Sequence, residues 1–178
     1  MAHVNHGREL QTDVAREAVR RIRATGAEIR SQSPLLRSIN DTASSWANLW
    51  NEQLSLGIIP YYMFITRDTG AEQFFAVPLV EAFKIFRDGI QQVSGLGRTV
   101  RGPIMSCTPG KLELLGVETM QGESVFVLRF LQAREPSWTY RPFFASLDPA
   151  AVWFDQLKPA FGEPEFFFQR GKKPPDTC

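Results

Sequence analysis

The chain has 178 residues, of which 43% are hydrophobic, enough to fold around one sizeable core and too many for a disordered chain. Lys and Arg total 20 against 19 Asp and Glu, and the net charge of +1 gives no electrostatic reason to expect nucleic acid or an anionic membrane as partner. No apolar run approaches the roughly 20 residues that span a bilayer.

Residues 2–5 read as the end of a strand. Thr12 or Asp13 can cap a helix running to about Thr25, with Val14, Ala18, Val19 and Ile22 as its apolar face and Gly26 as its stop. A short strand is expected at 28–31, before Pro34. Asn40 or Asp41 then caps a second helix, in which Trp46, Leu49, Trp50 and Leu54 form the stripe for burial and Gly57 ends the element. Residues 58–66, IIPYYMFIT, are an almost continuous apolar run, the pattern of a strand covered on both faces. A loop with Asp68 and Gly70 leads to a third helix over about 78–93, with core contacts from Phe83, Ile85, Phe86 and Ile90.

Residues 1–94 therefore alternate strand and helix, the α/β signature of parallel strands joined by crossovers. After residue 95 the character changes. Gly and Pro punctuate 94–111, which reads as a loop. Strands at 111–117 and 124–131 are joined by a turn near Gln121-Gly122. Residues 148–158 read as a short helix, with Asp148 capping and Pro149 at its first position. Many of the 14 Phe lie beyond residue 120, which predicts a second, aromatic packing layer. The sequence thus divides into an α/β part (1–94), a β-rich, aromatic-rich extension (95–168) and a tail (169–178) expected to be disordered.

The polar first ten residues do not read as a signal peptide. Two cysteines, Cys107 and Cys178, make neither a disulfide framework nor a metal cluster, and two His without a third ligand at metal spacing make no zinc site. A reducing cytoplasm is the default compartment.

Five stretches carry a resemblance. HVNHGREL (3–10), QSPLLRSIND (32–41), PYYMF with RDTG (60–70), GLGRTVRGPIMSCTPGK (95–111) and FVLRFLQAREP (126–136) occur here in one order and spacing. In that order and spacing they resemble lysine 2,3-aminomutase-like radical S-adenosylmethionine (SAM) proteins, over nearly the whole chain to about Phe168. The resemblance implies the carboxyl-terminal half of a partial (β/α)6 barrel, about three strand–helix units, followed by the extension. It implies SAM, a [4Fe-4S] cluster and pyridoxal phosphate (PLP) as cofactors, and amino-group migration on an amino acid or related small molecule. The cluster in that family is held by a Cys-x-x-x-Cys-x-x-Cys loop, which this sequence lacks, and three thiolates are needed. The expected partner is therefore the missing amino-terminal half or a separate cluster-bearing subunit, with self-association as a further expectation, and the chain alone is expected to be inactive. A protein-interaction module, and a PLP-binding protein without radical chemistry, are the alternative readings.

The resemblance also assigns residues. Lys111, after Pro109-Gly110, matches the lysine that holds PLP; otherwise it reads as an exposed lysine at a strand edge. His3, Asn5 and Gln32 match strand-end positions on the SAM side, and read otherwise as cap or turn residues. Asp68 matches a carboxylate that pairs with the substrate's distal ammonium. Cys107 stands where a second carboxylate is expected, which makes free lysine an unsuitable substrate. Asp68 reads otherwise as a turn cap. Arg98 and Arg101 suit an anion or a solvated surface.

Overall fold

In this computed structural model, residues 1–67 and 70–169 are described. The elements of the first half are β1 (Ala2–His3), α1 (Asp13–Ala24), β2 (Ile29–Leu35), α2 (Ala43–Ser55), β3 (Ile58–Ile65), a short α3 (Glu72–Phe75) and α4 (Leu79–Ile90). The second half contributes β4 (Arg101–Cys107), β5 (Gly110–Met120), β6 (Glu123–Ala133) and β7 (Pro142–Ser146). Among the described residues these strands form one seven-stranded sheet whose spatial order is the chain order. β1 to β4 run parallel, and β4 to β7 run antiparallel.

Local chemistry explains most boundaries. Thr12 Oγ1 accepts from Ala15 N at 3.2 Å and starts α1. Thr42 does the same for α2 through Ser45 N at 3.2 Å, so the cap is neither Asn40 nor Asp41. Asn40 instead braces the preceding loop. It accepts from Leu36 N at 2.7 Å and donates to the carbonyls of Asn5 (2.8 Å) and Pro34 (2.9 Å). The two-residue turn Gln121-Gly122, with φ of 53° and 80°, closes the β5–β6 hairpin.

Four expectations are corrected. β2 runs through Pro34 to Leu35, because β3 pairs with it along that whole length, while β1 pairs with Ser31 and Gln32. Residues 101–107 are a strand rather than a loop. Gly102-Pro103 conceals it from a sequence reading, yet Gly102 is needed, since a Cβ there would lie 2.8 Å from the Met63 carbonyl of β3. No α-helix forms at 148–158, which contains one 3-10 turn, Phe154–Gln156. Pro78 offers α4 no side-chain cap, and the Ala151 carbonyl accepts from Leu79 N at 2.8 Å instead, holding that segment out of a helix. Finally, α1 buries none of its residues completely; Val14 is 82% exposed and Ile22 50%.

The core lies between the sheet and α2 and α4. Trp46, Leu49 and Trp50 of α2, with Leu79, Ala82 and Ile85 of α4, pack against Ile58, Met63 and Ile65 of β3 and Met105 of β4. The aromatic layer forms as expected: Phe130, Phe143, Phe166 and Phe168 are buried together, with Trp138, Phe154 and Phe167 against them. The opposite sheet face carries a separate small cluster, Tyr62, Ile104 and Leu131, flanked by Tyr61 and Phe64. No helix among the described residues is long and apolar enough to cross a membrane.

Candidate functional site

Strand register places the site. His3 stands opposite Gln32, Gln32 opposite Tyr62, and Tyr62 opposite Arg101, a row across four parallel strands. One step towards the strand ends, Phe64 is opposite Ile104. Ser106, near the end of β4, faces Lys111 at the start of β5. The cavity that results, of about 530 Å³, lies at the carboxyl ends of the parallel strands, the usual ligand position in such sheets. Its volume is within the range of small-molecule sites. His3, Gln32, Phe64, Arg67, Ser106 and Lys111 are on its wall. Another cavity of about 450 Å³, between His6 and the Asn48–Glu52 side of α2, lies away from those strand ends.

Lys111 is held by packing. Its Nζ lies 4.7 Å from the Tyr62 ring centre and 5.9 Å from that of Phe64, which is cation–π geometry. Gly110 beside it has φ of 154°, and a Cβ there would come 2.1 Å from the Gln132 carbonyl. The glycine thus permits the close β5–β6 contact that fixes the lysine's position. Two residues on, Glu113 is buried and accepts from Arg129 Nε at 2.8 Å. The Arg129 guanidinium also covers the Tyr140 ring at 4.9 Å. That ion pair anchors the same sheet face beyond Lys111.

The paired tyrosines are electrostatically unequal. Tyr62 OH donates to Tyr61 OH at 3.4 Å. This bond, with Arg101 and Arg30 nearby, lowers the Tyr61 phenol below its ordinary value. Burial, then the neighbouring Tyr61, pushes Tyr62 up to about 12. Arg30 and Arg101 lie 5.2 and 5.4 Å from the Tyr61 ring centre.

Of the residues singled out in the sequence, His3, Gln32 and Lys111 come together in the cavity. Asn5 does not line it; its Oδ1 is buried without a hydrogen-bond partner, while its carbonyl accepts from Asn40. Asp68 lies outside the described residues, as do 170–178 of the tail and Cys178. Arg98 Nε donates to the Val93 carbonyl at 3.3 Å and stays with its loop. Cys107 is half-buried at the end of β4. Sequence reasoning did not single out Arg67 and Ser106. Arg67 Nη2 donates to Ser106 Oγ at 3.1 Å. The available signal was Arg67 directly following the 58–66 strand; Ser106 was hidden in a stretch read as a loop. Among the described residues no group of three or more His, Cys, Asp or Glu could hold a metal ion.

The parts of this fold have relatives. No protein-family model matches the chain. A protein of Aquifex aeolicus provisionally named L-lysine 2,3-aminomutase is 35% identical over 155 residues, 87% of this chain and 40% of the relative. The L-lysine 2,3-aminomutase of Escherichia coli K12 is 35% identical over 117 residues, 63% of this chain and 34% of the relative. The chain is homologous to the carboxyl-terminal part of the lysine 2,3-aminomutases. A third such protein, provisionally named and from Treponema pallidum, is 28% identical over 119 residues, 67% of this chain and 33% of its own length. The chain thus spans less than half the length of these aminomutase relatives.

Proposed function

We propose that this chain is the carboxyl-terminal portion of a radical SAM, PLP-dependent aminomutase-like enzyme, acting on an amino acid or related substrate. In this reading β1 to β4 with their helices are part of a (β/α)6 barrel, the cavity faces its lumen, and the chain works in the cytoplasm. One observation carries the reading. Lys111, Gln32 and His3, assigned separately by motif, line one cavity at the strand ends in a chain homologous to aminomutases.

The residues fit PLP. The cavity is large enough, and it offers an amine at Lys111 and hydrogen-bonding side chains at Ser106 and Gln32. When bound, PLP would supply a conjugated ring able to delocalise charge or an unpaired electron. The chain's own contribution is to bind and orient. Lys111 would hold the cofactor at a fixed place, because Gly110 sets its backbone against β6. Tyr62 and Phe64 lie against its amine and exclude water on that side. Gln32 and His3, on β2 and β1, offer polar groups on the SAM side. Asp68, outside the described residues, matches on motif grounds alone a carboxylate that pairs with a substrate's distal ammonium. The residues do not fit a [4Fe-4S] cluster. Cys107 is the only cysteine among the described residues, and no step through a cluster is derived for this chain.

A partner reading has its own support. β1, two residues long, has β2 as its strand partner, and α1 beside it leaves Val14 and Ile22 exposed. A cluster-bearing half, on the same polypeptide or another, would cover that edge and that helix face.

The test is borohydride reduction of the chain with PLP, followed by peptide mapping. Label at Lys111, lost in Lys111→Ala, is expected; label elsewhere only, or none, overturns the PLP assignment. Iron, sulfide and SAM added to the chain alone should give no 5′-deoxyadenosine. Its formation would show that the chain needs no cluster-bearing partner.

A further inference from the structure

The cavity is rich in positive charge. Arg67 leaves the end of β3, and its Nη2 reaches Ser106 Oγ at 3.1 Å and the Ser106 carbonyl at 3.5 Å. These contacts tie the guanidinium to β4 at the rim. Ser106 in turn stands opposite Lys111 in the β4–β5 register. Arg67 and Lys111 both line the cavity, with the imidazole of His3 across from them, and none of its described lining residues is a carboxylate. An oxyanion that enters such a site is attracted, and Arg67, exposed at the rim, is open to it. A guanidinium offers a planar fork of N–H donors that matches a carboxylate with two parallel bonds. The apolar part of the wall, Phe64, Ile65 and Leu36, suits a short methylene stem.

We propose that Arg67 determines specificity in this cavity, selecting an amino acid whose side chain ends in a carboxylate over one that ends in an ammonium. The inference rests on the proposed function, since it takes the cavity to be the substrate site. It names the substrate class that reading leaves open. Lysine brings a second ammonium among cations, and under this inference Asp68 has its alternative reading as a turn cap and is not an ammonium partner. A side chain of glutamate type brings a carboxylate to Arg67.

The experiment is ligand titration of the full chain by calorimetry and by amide NMR. The probes are L-glutamate, L-lysine, L-norleucine and inorganic phosphate. Glutamate should bind at least tenfold more tightly than lysine or norleucine, and added salt should weaken it. Arg67→Gln should lower glutamate affinity tenfold or more and leave norleucine unchanged, while Arg67→Lys should keep part of the preference. The assignment is overturned if lysine binds as well as glutamate, if glutamate does not bind, or if Arg67→Gln leaves glutamate affinity unchanged. Phosphate binding without glutamate binding would identify an isolated anion site and also overturn it. PLP labelling of Lys111 in the Arg67→Gln chain separates the two claims. Label retained with unchanged glutamate affinity removes the role of Arg67 and leaves the proposed function. No label in the unaltered chain removes the cofactor assignment, whatever the amino-acid probes show.

Discussion

The Tyr61–Tyr62 pair is where individual side chains make their clearest testable statement. Tyr62 is 4% exposed, and burial raises its phenol to about 12. Tyr61 is half-buried and shifts the opposite way, first through the hydrogen bond from Tyr62 and then through the nearby guanidiniums. Alkaline titration of the Tyr140→Phe chain, followed by tyrosinate absorbance, should therefore resolve an early and a late phase. Tyr61→Phe should abolish the early one, and Tyr62→Phe the late one. A single phase at the ordinary phenol value, near 10, would contradict the arrangement. The stability consequence has a definite sign. Tyr62 keeps its proton longer when folded, so its contribution is complete below pH of about 10 and is lost as pH rises through about 12. Tyr61 contributes above the ordinary phenol value and loses this as pH falls through its lowered one. Water on its open side keeps that share small.

At the scale of elements, α1 and α4 look alike in sequence and differ in the fold. Both show apolar residues at helical spacing. In α4 the stripe meets α2 and the sheet, and Leu79 and Ala82 are fully buried. In α1 the stripe meets little, and Val14 is 82% exposed. Leu79→Ala should cost about 3 kcal/mol by cavity formation, and Val14→Gln should stay within about 0.5 kcal/mol. Urea denaturation distinguishes them. A large loss from Val14→Gln would mean that α1 is covered in solution. The contrast also marks what the sequence could reveal. Periodicity identifies a helix and its apolar face, but not whether another element reaches that face. The apolar run at 58–66 was legible because apolar side chains stand on both its faces, Met63 in the main core and Tyr62 in the small cluster opposite. β4 and the start of β5 were not, because Gly102-Pro103 and Gly110 look like loop residues and their role depends on β3 and β6, distant in sequence. The same limit applied at the site. Lys111, Gln32 and His3 were found through motifs, whereas Arg67 and Ser106 form their bond only once β3 and β4 lie side by side.

Over the whole molecule, two packing layers share one sheet. The Trp-rich layer under α2 and α4 and the Phe-rich layer under β6 and β7 both belong to one continuous buried cluster. Phe130 is central to the second layer. It is fully buried and has ring contacts with Trp138, Phe143, Phe167 and Phe168 at 5.0 to 6.2 Å. Phe130→Ala should cost about 3–5 kcal/mol. Because the layers are continuous, unfolding monitored by tryptophan fluorescence and by far-ultraviolet dichroism should shift together in the variant. Separate transitions would show that the extension melts alone.

The agreement between strand order and chain order has a consequence for synthesis. Each strand's first neighbour is the one that precedes it in the chain. A nascent polypeptide can therefore add each new strand to an edge that has already emerged from the ribosome. No strand has to wait for a distant segment, and no finished edge has to reopen to admit one. For these seven strands, assembly can keep pace with translation, each new strand joining the edge formed just before it.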